Sequence, residues 1–408
     1  MAEVEVPSEP YATSQPPAGW PKRHILRAVL PLLLVVAVII AGYILATDNK
    51  SGSTTSGDAH LVLDNRSQSK INVTDKTGKQ LYSFAYPTNS YMSVEASSAQ
   101  GEVLLSRVIS ANTFGYTLLS GGKNLSLPAA SAKALNSAVY FGGSHQVYFT
   151  DEQDVTYASC PSGKTCQIMM LNLLSGDSKV VADTGAKPII PTLPTAYPLG
   201  VSPDGKTIYV RTLAANKLGK TVYGLYALNQ QGKVSGNWDI SADADLTPKL
   251  SPDAKQVVFK TGSKDQTTIN TLDLSLKKTH KASWSGGQLT DLTNTFSWSP
   301  DSKKVLFWGS NAILPRQNPN ASFPINIAVL DVPSSKITNL QTISDSAHNQ
   351  IVYQSWLDGG NIVYEQDSAT QAYVFSGASS QIYQANVSKK AVSKFNNLSG
   401  NLAQVIFY

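Results

Sequence analysis

One turn recurs four times along the chain, and it constrains the fold more than any other feature. The copies are Val201-Ser202-Pro203-Asp204-Gly205-Lys206-Thr207-Ile208, Leu250-Ser251-Pro252-Asp253-Ala254-Lys255-Gln256-Val257, Trp298-Ser299-Pro300-Asp301-Ser302-Lys303-Lys304-Val305 and Trp356-Leu357-Asp358-Gly359-Gly360-Asn361-Ile362. Their aspartates are spaced by 49, 48 and 57 residues. Each copy carries its own reason to turn. Proline presets φ, aspartate accepts from turn amides, and glycine takes a positive φ without a Cβ clash. An apolar strand precedes the turn and a β-branched or aromatic strand follows it. Further down each repeat a second hairpin recurs at Leu228-Asn229, Leu272-Asp273 and Leu330-Asp331. Two hairpins per period make four strands, named A to D here. Four-stranded units at a period of about 40–50 residues are the blades of a β-propeller.

Weaker copies extend the array toward the N-terminus. Val94 to Arg107 with Tyr116 to Leu127 reads as one blade, and Tyr140 to Phe149 with Leu171 to Gly176 as another. At the ends of the chain, His60 to Phe84 offers three strands without a first, and Leu402 to Tyr408 offers a single strand without followers. Joining them closes the ring and removes its open sheet edges. The expectation is an all-β propeller of about seven blades, six being the alternative, closed by strands from both termini.

These turns resemble the TolB-type propeller repeat, a WD40-like unit marked by Ser-Pro-Asp-Gly ahead of an apolar strand. The resemblance covers residues 196–365 well and residues 85–185 and 395–408 more faintly. Ala254, Ser302 and Leu357 depart from the pattern and loosen the turn but not the period. Similar repeats occur in the periplasmic TolB protein and in the propellers of prolyl-oligopeptidase-type enzymes. The resemblance therefore implies architecture strongly and activity hardly at all.

Ahead of the repeats lies an uncharged run, Ala28 to Ala46. As a helix its 19 residues span about 28 Å, enough for a hydrocarbon core. Lys22, Arg23 and Arg27 flank it on the N-terminal side. The positive-inside rule then places residues 1–27 in the cytoplasm as a disordered tail, 28–46 across the membrane as an uncleaved signal-anchor, 47–57 as a flexible linker, and 58–408 outside. An oxidising location suits the only two cysteines, Cys160 and Cys166, which are expected to close a small loop disulfide.

Several functions are excluded or left unsupported. A formal charge of +5 over 408 residues, with lysines scattered singly, does not build a nucleic-acid surface. Gly200 to Thr207 fits the phosphate-loop pattern by letter, yet a β run follows where a helix must open, so no nucleotide is expected. No Gly-x-Ser-x-Gly elbow and no paired zinc histidines occur, and neither a cofactor nor a metal is expected. A carboxylate pair for glycan cleavage needs only closeness in space, so an envelope-glycan hydrolase or lyase acting in the channel remains the alternative.

The leading expectation is a binding or scaffolding module for extracytoplasmic proteins or other envelope partners. A–B and C–D turns are short and share one face. The B–C and D–A connections are long and share the other, where binding usually resides. Two of them carry apolar residues among prolines: Ile189, Ile190 and Leu193 in one, Ile313 and Leu314 beside Arg316 in the other. These six are the candidate partner-binding residues. Asp204, Gly205, Asp253, Asp301, Asp358 and Gly359 are assigned to structural turns.

Overall fold

The structure, a computed structural model, describes residues 59–407 apart from 89–91, 99–100, 111–112, 142–143, 161–165, 184–195, 216–220, 241–247, 264–265, 287–295, 311–323, 345–347, 371–378, 396–397 and 399. The expected tail, membrane helix and linker lie outside the described residues. Among the described residues, no helix is long and apolar enough to cross a membrane.

Seven four-stranded antiparallel sheets form the blades. Blade 1 consists of Asn401–Phe407, Ala59–Asn65, Lys70–Asp75 and Gln80–Ala85, from the inside outward. Blade 2 is Met92–Ser97, Val103–Ser110, Thr113–Ser120 and Lys123–Ser126, and blade 3 is Val147–Phe149, Asp154–Ser159, Gln167–Asn172 and Ser178–Asp183. Blades 4 to 7 begin at Ala196–Val201, Lys249–Leu250, Phe296–Trp298 and Asn349–Trp356. Each first strand touches the first strand of the next blade, and Asn401–Phe407 touches both Asn349–Trp356 and Met92–Ser97. The ring is closed. Its clasp is antiparallel pairing of the last strand with the first, from Ala59 opposite Phe407 to Asp64 opposite Asn401.

The repeated turns hold as their chemistry requires. Asp204, Asp253 and Asp301 each accept the hydroxyl of the serine two residues earlier at 2.6 Å, and that serine's oxygen accepts the amide that starts strand B. Asp358 lacks the serine and instead accepts the Gly360 and Asn361 amides, both at 2.7 Å. The departures at Ala254 and Ser302 do not change the backbone: φ is 56° and 58°, against 70° at Gly205. Glycine is needed at 205 for a further reason. An added Cβ would stand 1.9 Å from the Thr150 carbonyl oxygen of blade 3. That approach, and not a phosphate, accounts for the apparent phosphate-loop glycine.

Trp298 and Trp356 pack between blades, and they also tie first strands together. Trp298 Nε1 donates to the Lys249 carbonyl at 3.0 Å, and Trp356 Nε1 to the Ser297 carbonyl at 2.9 Å. Cys160 and Cys166 are bonded, joining the end of strand B to the start of strand C in blade 3.

Blade 3 corrects the expected register. From the sequence, Tyr140 to Phe149 is expected as the first hairpin of this blade and 151–165 as a connection, whereas Val147–Phe149 is the first strand and Asp154–Ser159 the second. Asp151 accepts the Gln153 and Asp154 amides at 2.8 and 2.7 Å, so it is a fifth copy of the repeated aspartate without the flanking Ser-Pro. Between blades 2 and 3 the chain inserts a helix, Ala129–Asn136, and a short hairpin, Tyr140–Phe141 with Ser144–His145. Leu135 of that helix is fully buried against Leu118 and Leu171, so the insertion is part of the core.

Candidate functional site

Strand polarity fixes which connections share a face. Strands B and D of every blade run in the same direction, so the B–C and D–A connections leave together, opposite the repeated turns. Ile189, Ile190 and Leu193 fall in the D–A connection between Ser178–Asp183 and Ala196–Val201. Ile313, Leu314 and Arg316 fall in the B–C connection between Lys304–Ser310 and Ile325–Asp331. All six lie outside the described residues. Asp204, Gly205, Asp253, Asp301, Asp358 and Gly359 lie in A–B turns on the other face.

Two buried carboxylates reach beyond their own blade, and two bond within it. Glu95 of blade 2 accepts the His145 amide at 2.6 Å, bonds the Ser106 hydroxyl, and lies 3.4 Å from His145 Nδ1. His145 is itself boxed by Phe114 and Tyr116. Glu365 of blade 7 accepts the Leu402 amide at 2.6 Å and the Asn401 side chain at 2.7 Å. Burial raises the Glu365 carboxyl above the ordinary carboxylate range, against the pull of those donors. Asp64 takes Tyr86 Oη at 2.6 Å and Arg66 Nε at 3.0 Å, and Glu102 takes the Ser98 and Ser120 hydroxyls. Each of these acids closes a turn or fastens one blade to the next. A buried acid with several protein donors is a structural fixture, since removing one partner strands the other. No pattern of spacing announces these pairs, which join residues 50 and 37 positions apart.

Cations occupy the inner end of blades 4 and 5. Arg211 lies opposite Tyr197 in the sheet, buried, with its guanidinium 5.3 Å from the centre of that ring. Lys249, on the first strand of blade 5, is half-buried. Burial, and after it the Arg211 charge, pull its ammonium down to about 8. Tyr148, on the first strand of blade 3, is pushed up by burial while Arg211 draws it back. Lys249 therefore gives a pH signature. Its folded pKa lies below the unfolded value of 10.5, so the unfolded chain binds more protons between pH 8 and pH 10.5. Stability from this group rises with pH across that window and is lost as pH falls through 8. Lys249→Met is expected to flatten the rise and to increase stability at pH 7, read by urea unfolding at pH 7 and pH 9.5. An unaltered slope would show that the ammonium is solvated in the fold.

No protein-family model matches the chain, and no curated protein matches it. Solved structures do. The chain is similar to an oligogalacturonate lyase in complex with manganese, at 13% identity over 83% of this chain and 85% of that one, with a TM-score of 0.50. It is also similar to TolB from Acinetobacter baumannii, at 13% identity over 74% and 67% of the two chains, TM-score 0.43. An oligogalacturonate lyase from Vibrio parahaemolyticus gives 13% identity over 83% and 86%, TM-score 0.49. At such identities the likeness is one of fold. The chain has a β-propeller fold whose structural neighbours include TolB proteins and lyases.

Proposed function

We propose that the chain is a membrane-anchored binding module. In this reading residues 28–46 span the membrane, residues 1–27 lie in the cytoplasm, and the propeller stands outside, capturing protein or other envelope partners with its B–C and D–A connections. The observation that carries the binding reading is the employment of the buried acids. Glu95, Glu102, Asp64 and Glu365 are held by protein donors and fasten blades or turns, which favours a rigid scaffold over paired acid and base groups on a glycan. The point of chain entry supports the orientation. The first described strand, Ala59–Asn65, is strand B of blade 1, and strand B starts on the face of the short turns. A linker of 11 residues, 47–57, reaches about 35 Å at most, and in this reading it joins the anchor to the propeller at the end of the first strand that begins on the face of the short turns.

The test is capture by the full-length chain. Ile190→Asp with Leu314→Asp is expected to weaken retention of envelope partners at least tenfold while leaving the melting temperature unchanged. Leu276→Asp is the control, since Leu276 is 70% exposed in a C–D turn on the opposite face. Loss of capture with Leu276→Asp alone would reverse the assignment of faces. The second reading, a channel enzyme on acidic glycans, draws on the cations Arg211 and Lys249 and on the fold shared with oligogalacturonate lyase. Release of shortened products from such glycans would favour it.

A further inference from the structure

Blade 2 turns one side of its second strand toward blade 1. Val103 and Leu105 on that side are fully buried with Val62, Ile71 and Val73. The same side then continues, at period two, to Arg107. The cross-strand partners shrink in step: Val103 faces Leu119, Leu105 faces Thr117, and Arg107 faces Gly115. A layer that begins as packed aliphatic side chains therefore thins to glycine under a guanidinium. A Cβ built on Gly115 would lie 3.0 Å from Ile109 Cδ1 and 3.7 Å from Arg107 Nη2, so both side chains lean over the space that glycine leaves.

The result is a cavity of about 190 Å³ between blades 1 and 2, bordered by Phe84, Tyr86, Met92, Arg107, Gly115 and Asn124. It lies at the end of strand B and beside the D–A connection after Ala85, which places it on the long-connection face. Most of the residues around it are aromatic or apolar, the surface they turn into the space is nonetheless more polar than apolar, and its one cation is half-buried. Arg107 has no ion-pair partner among the described residues. The adjoining connections 89–91 and 111–112 contain Asn, Ser, Tyr and Ala but no acid. A partly desolvated guanidinium presents a planar fork of donors that fits a carboxylate in two-point fashion. The volume equals the share of about six water molecules, which suits a ligand of under about a dozen heavy atoms.

We propose that this cavity binds a small apolar carboxylic acid, with Arg107 clamping the carboxylate and Phe84, Tyr86 and Met92 receiving the apolar group. Such chemistry comes from two sources, a free short-chain acid or the last residue of a peptide with an apolar side chain. Ile109, 59% exposed and leaning over Gly115 beside Arg107, extends the apolar surface beyond the mouth, where a peptide would continue and a free acid would not. None of its lining residues is among the candidate partner-binding residues.

Calorimetric titration of the full-length chain in detergent tests it. Hexanoate and N-acetyl-leucine are expected to bind, and hexanamide and N-acetyl-leucine amide to bind at least tenfold more weakly. Arg107→Gln should abolish the difference between acid and amide. Gly115→Val, which fills the cavity from the opposite strand and leaves the cation in place, should weaken both acids at least tenfold. Equal binding of acid and amide, or undiminished binding by either folded variant, would overturn the proposal, as would no heat from either acid at millimolar concentration. A pentapeptide ending in leucine that binds more tightly than N-acetyl-leucine, and loses the gain with Ile109→Asp, supports the peptide source. A pentapeptide excluded while hexanoate binds supports the free acid.

Discussion

Deleting residues 401–408 is expected to unfold the entire propeller rather than fray its end. The last strand forms the inner edge of blade 1, so its loss leaves Ala59–Asn65 as an open strand edge facing the channel. Leu402 and Val405 leave a core shared with Leu61, Leu63, Leu357 and Val363. At about 2 kcal/mol for each buried aliphatic side chain, the two lost side chains alone remove about 4 kcal/mol, near the lower end of a typical domain's stability. Glu365 then keeps a buried carboxylate without the Leu402 amide and the Asn401 side chain. Two further links disappear, the Val405 amide donating to the Tyr353 hydroxyl oxygen and the Gln404 side chain donating to Ser97 of blade 2. The truncated chain should be insoluble or lack a cooperative melting transition. A truncated protein that melts like the full chain would show that the ring closes elsewhere.

Gly205→Ala should cost more than alanine costs at any sister turn. Ala254 and Ser302 occupy the equivalent left-handed position, so the conformation itself tolerates a Cβ at about 1 kcal/mol. What differs is the neighbour. A Cβ at 205 overlaps the Thr150 carbonyl, a backbone atom that moves only if the blade 3 turn moves. Overpacking against backbone adds about 1–3 kcal/mol, for a total of about 3 kcal/mol. Ser302→Gly supplies the comparison: it relieves the positive φ but removes the oxygen that accepts the Asp253 amide at 3.1 Å, so its net effect should stay within about 1 kcal/mol. Urea unfolding of the two variants measures both. Equal, small losses would mean that the 204–205 turn yields without resistance.

The architecture was legible because its cause is local and repeated. A turn that needs Asp to cap amides and a residue tolerant of positive φ writes itself into four consecutive residues, and the period of those turns sets the blade. Where the cause is not local, the sequence is quiet. Asp151 builds the same turn from two amides but lacks the serine and proline, so its blade was displaced by one strand. The helix Ala129–Asn136 could have been found from its alanines and the preceding Pro128, a run that suits a helix better than a strand. Glu95 with His145 of the inserted hairpin and Glu365 with Leu402 of the next blade are contacts between distant segments, and neither partner carries a pattern pointing to the other. Arg107 did leave a trace: a cation at the third position of an otherwise apolar alternation, Val103, Leu105, Arg107, Ile109. Such a break signals either a solvated strand end or a site, and only the opposing Gly115 and the space beside it distinguish the two. The five apolar loop candidates and Arg316 rest on composition and on the face from which their connections leave.

Photo-cross-linking in intact cells tests the central claim most directly, that partners meet the long-connection face of a tethered propeller. A cross-linking residue is placed singly in the full-length chain, at Val108 on that face or at Leu276 on the face of the short turns; both side chains are solvent-exposed. The account predicts discrete protein or glycan adducts from Val108 and none from Leu276. Adducts formed from Leu276 and absent from Val108 would contradict it.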